Sequence, residues 1–83
     1  MMETREIENR IRSFIVESFL NEDQARTLAN DDDLLKILDS LQILRMVMHV
    51  ESSFGIKMAD ADMSPDTLGS VRKLAAYVAG KGS

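Results

Sequence analysis

Residues 39–55 read DSLQILRMVMHVESSFG, and this stretch decides the fold. From Leu41 to Phe54, the residues Ile43, Met46, Val47, Val50 and Phe54 fall at i, i+3, i+4, i+7 and i+11. That is the spacing of a helix with one face turned to a core. Asp39 and Ser40 are both good N-cap types, because a short oxygen-bearing side chain accepts from the free amides of a first helical turn. Gly55 follows Phe54, where a C-terminal glycine belongs. A second apolar strip, Leu41, Leu44 and Met48, runs down from Ser40 about a third of a turn from the first. A short chain has little core in which to bury two such strips. An exposed serine beside an apolar strip on a rigid helix suits a site that other proteins find and handle.

Upstream, Ile7, Ile11, Phe14, Ile15 and Phe19 recur at helical spacing and predict a first helix from Glu3 to about Phe19. Thr4 is a candidate cap, and Glu3 and Glu6 sit at the positive end of the helix dipole. From Leu20 to Asp39 runs a long connection with turn chemistry at Asn21, Asn30 and the aspartate run. Leu28, Leu34, Leu35 and Leu38 are anchors for it, which predicts an ordered loop with a helical turn near Gln24 to Leu28. Downstream, Ile56 and Met58 turn into the core. Ser64-Pro65-Asp66 opens a short third helix ending by Gly69. Ser70 caps the last helix, whose inward residues are Val71, Leu74, Ala75 and Val78. Phe54 and Val71 are expected to join the second and last helices in the core. The sum is an all-α fold: a small four-helix bundle of three main helices and one short one, with a long loop between helices one and two. A single domain over residues 1–83 is expected, ordered from about 4 to 79, with a frayed tail over 80–83.

A chain of 83 residues holds one core. With 45% hydrophobic and 29% charged residues it is globular in type. Cysteine is absent, which excludes a disulfide framework, a thiolate zinc site and a cysteine nucleophile. Any thiol chemistry has to come from an attached group. No apolar run reaches membrane-spanning length, and the N-terminus is charged where a secretory signal turns apolar. Cytoplasmic residence without membrane insertion is therefore expected. A net charge of −4 argues against nucleic acid, whose binders need a basic stripe. Between residues 21 and 39, Glu22, Asp23, Asp31, Asp32, Asp33 and Asp39 face only Arg26 and Lys36. An acidic approach to Ser40 attracts basic patches on partners.

Ser40 has no catalytic partner in the sequence. The only histidine, His49, lies nine residues along the same helix, well over ten ångströms away. The Asn30 to Asp33 run lacks the alternating ligands, glycine and glutamate of an EF-hand loop, and no metal site is expected. Nothing points to intrinsic enzymatic activity. What remains is a serine open to modification. A hydroxyl at a helix N-terminus is a good place for a phosphodiester, since free amides and dipole both favour negative charge there. Asp39 adds a carboxylate, and Leu41 and Leu44 flank the hydroxyl with apolar surface.

Three segments together resemble the acyl carrier proteins of the phosphopantetheine-binding family. Leu38-Asp39-Ser40-Leu41 resembles the family's Asp-Ser-Leu attachment motif. Val50-Glu51-Ser52-Ser53-Phe54-Gly55-Ile56 resembles its Leu-Glu-x-x-Phe-Gly-Ile ending of the second helix, and the run from Ser70 to Val78 resembles its final helix. The resemblance covers about Ile7 to Val78. It implies a four-helix carrier fold with 4'-phosphopantetheine, taken from coenzyme A, joined through phosphate to the Ser40 hydroxyl, with Asp39 and Leu41 as the flanking motif. The thiol of that arm would hold an acyl or aminoacyl group as a thioester, with the cofactor supplying the sulfur and the protein its presentation. The implied partners are a phosphopantetheinyl transferase, a loading ligase or acyltransferase, and a downstream acceptor enzyme. They would meet a monomeric carrier on a surface of Gln42, Leu44, Arg45 and Met48. Gln42 and Arg45 stand where fatty-acid carriers often have carboxylates, Lys36 and Ile37 where many members have a glycine, and Ala59 where a proline is expected. These departures turn the resemblance toward stand-alone carriers of specialised pathways, aminoacyl carriers included. The competing reading is a cofactor-free helical interaction module in which Ser40 is only a cap.

Overall fold

The computed structural model describes residues 2–81. Its elements in order are α1 (Thr4–Phe19), α2 (Glu22–Thr27), α3 (Leu34–Ile37), α4 (Ser40–Phe54), a 3-10 turn (Asp60–Asp62), α5 (Pro65–Leu68) and α6 (Val71–Lys81), with no strand among the described residues. The three long helices are those the periodicity predicts. The short elements are more numerous than the one short helix and one helical turn expected, because α3 and the 3-10 turn join α2 and α5.

Each long helix buries the stripe its spacing marks: Ile7, Ile11 and Ile15 of α1, Met46, Val47 and Val50 of α4, and Val71, Leu74, Ala75 and Val78 of α6. α1 packs against both α6 and α4, and α5 leans on α6. Met58 is buried beside them and Ile56 packs half-buried on the same core. Ile43 and Phe54 also pack only half-buried. For Phe54 this corrects the expectation of a full core position. It is the last residue of α4, where the chain turns away through Gly55 at φ 66°. The Gly55 N–H closes the helix on the Glu51 carbonyl, a left-handed cap that only glycine adopts at little cost.

The long connection is ordered by polar ties as well as by its leucines. Leu28, Leu34 and Leu38 are buried, whereas Leu35 is exposed. α3 is a single turn, so Leu34 and Leu38 share its inner side and Leu35 falls outside. The Leu34 N–H donates to the Gly69 carbonyl (2.9 Å), and the Arg72 N–H donates to the Asn30 carbonyl (3.0 Å). The Arg72 side chain reaches Asp31 (2.9 Å) and Glu8 (3.7 Å), while Arg12 donates to the Ala25 carbonyl (3.3 Å). α2 begins two residues before the expected turn because Asn21 and Gln24 form a reciprocal capping box.

Several caps differ from expectation. Thr4 is the first helical residue of α1, and Glu3 holds the cap position without a side-chain bond. Ser64 precedes Pro65 as expected but also caps without a side-chain bond. Ser70 does cap α6, accepting from the Lys73 N–H at 3.1 Å. α6 continues through Gly80 to Lys81, beyond the expected start of a frayed tail, and Gly82 and Ser83 lie outside the described residues.

Candidate functional site

The corner before α4 is fixed from both sides. On the inside, Leu38 is buried, and its N–H donates to the Leu34 carbonyl at 2.8 Å. Along the helix, the buried Met46, Val47 and Val50 set which face of α4 turns outward. Asp39, not Ser40, is the N-cap. Its Oδ1 accepts from the Gln42 N–H (2.8 Å), and its own N–H donates to Gln42 Oε1 (3.0 Å). This is a second capping box, and it gives Gln42 a duty that the sequence reading assigned only to partner contact.

Ser40 is therefore the first residue of the helix proper. Its side chain is exposed, and its hydroxyl makes no hydrogen bond among the described residues. Of the four amides at a helix head that lack an intrahelical partner, the box satisfies those of Asp39 and Gln42. Those of Ser40 and Leu41 remain, beside the hydroxyl and at the positive end of a 15-residue helix.

The outward strip is as expected: Leu41 is 60% exposed, Leu44 51% and Met48 59%. Leu35 and Ile37, which precede Ser40 in the chain, are exposed as well, an exposure the sequence did not announce. Apart from Met63, every exposed large hydrophobic residue of the described chain falls between 35 and 48. Single exposed apolar residues are ordinary on a protein surface, but here they gather in one stretch of sequence on either side of Ser40. Arg45 is exposed on the same helix and makes no ion pair among the described residues.

The other polar candidates serve the fold. The His49 ring stacks on Phe14, and its Nε2 lies 3.1 Å from Ser53 Oγ. Nine residues of helix put it about 13 Å along the axis from Ser40. The pair lines an open groove of about 420 Å3 between α1 and α4, at the end of α4 away from the serine. Glu51 accepts from the Met58 N–H at 2.8 Å, so its carboxylate closes the turn after α4. In the aspartate run, Asp31 meets Arg72, Asp32 accepts from the Ala29 N–H (2.8 Å), and Asp33 caps α3 on Leu35 (3.0 Å). Each is engaged separately in holding the loop.

A family model described as a phosphopantetheine attachment site matches residues 14–78, from the middle of α1 almost to the end of α6. A comparison with curated proteins finds no match.

Proposed function

This chain belongs to the phosphopantetheine-attachment family, whose members are carriers and not catalysts and bear a covalently attached 4'-phosphopantetheine; from that premise we propose that Ser40 is the attachment residue and that the chain passes an acyl or aminoacyl group between enzymes. The covalent cofactor of the family displaces the alternative of a cofactor-free module. The single observation that carries the assignment is the exposed, unbonded Ser40 hydroxyl heading α4 inside the matched residues.

The residues at this corner fit such an arm. The amides of Ser40 and Leu41 are left over by the capping box and can receive phosphate oxygens, helped by the helix dipole. In the attachment, the Ser40 oxygen bonds the phosphorus on the pantetheine side of coenzyme A. The pyrophosphate bond breaks, the nucleotide half leaves with the electron pair, and the hydroxyl proton passes to a base. His49 is too distant to be that base, so the transferase has to supply it. When bound, the arm supplies the terminal thiol that a chain without cysteine lacks.

Gln42, Leu44, Arg45 and Met48, with Leu41 beside them, form the face that partners cover in this reading: the transferase, a loading ligase or acyltransferase, and an acceptor enzyme. Asp39 keeps one carboxylate oxygen clear of the box for the transfer complex. No described helix is long and apolar enough to cross a membrane. The reading makes the chain a monomeric cytoplasmic carrier in lipid or specialised-metabolite synthesis. Intact mass after incubation with coenzyme A and a promiscuous phosphopantetheinyl transferase tests it. Wild type gains one phosphopantetheine and Ser40→Ala gains none while staying folded; a gain that survives Ser40→Ala moves the site elsewhere.

A further inference from the structure

The backbone around Ser40 is held by a ring of two hydrogen bonds whose far member is a side chain outside the attachment motif. Asp39 Oδ1 takes the Gln42 N–H at 2.8 Å, and Gln42 Oε1 takes the Asp39 N–H at 3.0 Å. Ser40 lies inside that ring, between the two residues that close it. Upstream, the buried Leu38 already anchors the chain. The torsions on either side of Ser40 are thus restrained by packing before it and by Gln42 after it.

We propose that Gln42 is a positioning residue for the modification of Ser40. This rests on the reading that Ser40 takes the arm. By holding the Asp39 N–H, the Gln42 amide keeps the Asp39-Ser40 corner in the one geometry that aims the hydroxyl outward with the Ser40 and Leu41 amides beside it. It also keeps Asp39 Oδ1 on the helix, so that the second carboxylate oxygen points to the approaching enzyme. A glutamate would close the same ring through a carboxylate oxygen. Without the ring, the corner samples other conformations, and the enzyme binds only the fraction in the competent one. A smaller competent fraction raises apparent KM and leaves the chemical step unaltered.

The test compares wild type, Gln42→Met and Gln42→Glu as substrates of a phosphopantetheinyl transferase with coenzyme A, beside amide hydrogen exchange of the unmodified proteins. Methionine matches glutamine in length and helix propensity but has no oxygen to accept the Asp39 N–H. Gln42→Met should raise KM for the carrier about threefold to tenfold, the range to which a lost neutral hydrogen bond converts, with kcat unchanged. The Asp39 amide, which donates to Gln42 Oε1, should exchange faster in that variant. Gln42→Glu, in salt high enough to screen its added charge, should restore both wild-type KM and wild-type exchange. Wild-type KM in Gln42→Met overturns the proposal. A raised KM with unchanged exchange also overturns it, since Gln42 would then be only a contact for the transferase. If wild type gains no mass, or Ser40→Ala still gains it, the attachment reading itself has failed and this inference falls with it.

Discussion

The His49 ring lies flat on the Phe14 ring, with centroids 3.8 Å apart and planes 10° from parallel. Phe14 in turn meets Phe19 edge-on at 5.5 Å, so the only histidine of the chain is the outer member of an aromatic group on α1. This stack pins the far end of α4 to α1, away from Ser40. His49→Ala should therefore cost about 1 kcal/mol, the scale of an aromatic pair, and lower the melting temperature by roughly 4–8 °C. Phosphopantetheine incorporation below the melting temperature should match wild type. Lost incorporation at unchanged stability would give His49 a direct part in the transfer.

The position of the cap separates two neighbouring substitutions. Because Asp39 makes the side-chain bond, Asp39→Ala should cost about 1 kcal/mol of stability. Ser40 is an exposed first helical residue, where alanine is at least as good a helix former, so Ser40→Ala should melt within a few degrees of wild type. The sequence alone spreads the cap over both residues. Thermal melts of the two variants separate them, and equal losses would mean the two residues share the cap.

In the core, Leu74 of α6 is completely buried while Phe54 is half-buried at the end of α4. Leu74→Ala should cost roughly 2–5 kcal/mol, a large part of the stability of so small a domain. Phe54→Ala should cost less despite removing more atoms, because much of its ring already meets water. Urea midpoints of the two variants decide the order. A more damaging Phe54→Ala would mean that its ring packs more deeply than its exposure indicates.

How far each element could be read from sequence follows its length. α1, α4 and α6 each span enough turns to repeat an apolar stripe, so their inner faces are legible at Ile11, Val47 and Leu74. α2 and α3 are too short to show a period, and a single turn gives Leu34 and Leu35 the same look though only Leu34 is buried. For α2 the signal is in the cap: Asn21 with Gln24 has the spacing that Asp39 with Gln42 repeats at the head of α4, a cap residue followed three on by glutamine, whereas α3 has only Asp33 as its cap. The ties from Arg12 and Arg72 to the loop join residues distant in sequence, and no local pattern announces them. The Asp39-Ser40-Leu41 corner and its strip were legible because motif and periodicity coincide there. Leu35 and Ile37 were not, because their exposure depends on how the loop folds back.

Tyr77 links α6 to the 3-10 turn by donating its hydroxyl proton to Asp62 Oδ2 at 2.8 Å. Burial raises its phenol above the ordinary 10.0, and the bond to Asp62 and the negative charges of Asp62 and Glu51 push the same way. A raised folded-state value means the fold prefers the protonated phenol. Its contribution is complete below pH 10.0 and disappears as pH climbs through the folded-state value. Wild type should therefore be the more stable of wild type and Tyr77→Phe at neutral pH and lose that advantage in alkali. Melting temperatures of both, followed from neutral pH to above 10, provide the check; parallel curves would show that the phenol ionises equally easily folded and unfolded.

Arg45 is the one charged residue between Leu41 and Met48, and with no ion pair among the described residues its guanidinium is available to a partner. If partners dock here as proposed, a cation in the middle of this exposed apolar strip acts in two directions. It repels basic docking patches of the kind that suit an acidic carrier, and it attracts a carboxylate on an enzyme built for this one. Arg45→Glu should accordingly slow loading by the cognate ligase and speed loading by a malonyl transferase of the fatty-acid type. The guanidinium is exposed, so the change should fall on association more than on dissociation, and both differences should shrink as ionic strength rises. Stability should hardly alter, since an unpaired surface charge contributes little to folding. Loading rates against salt for wild type and variant, with both enzymes, measure this. Unchanged rates at low salt would mean that partners choose the carrier on some face other than the Leu41, Leu44 and Met48 strip.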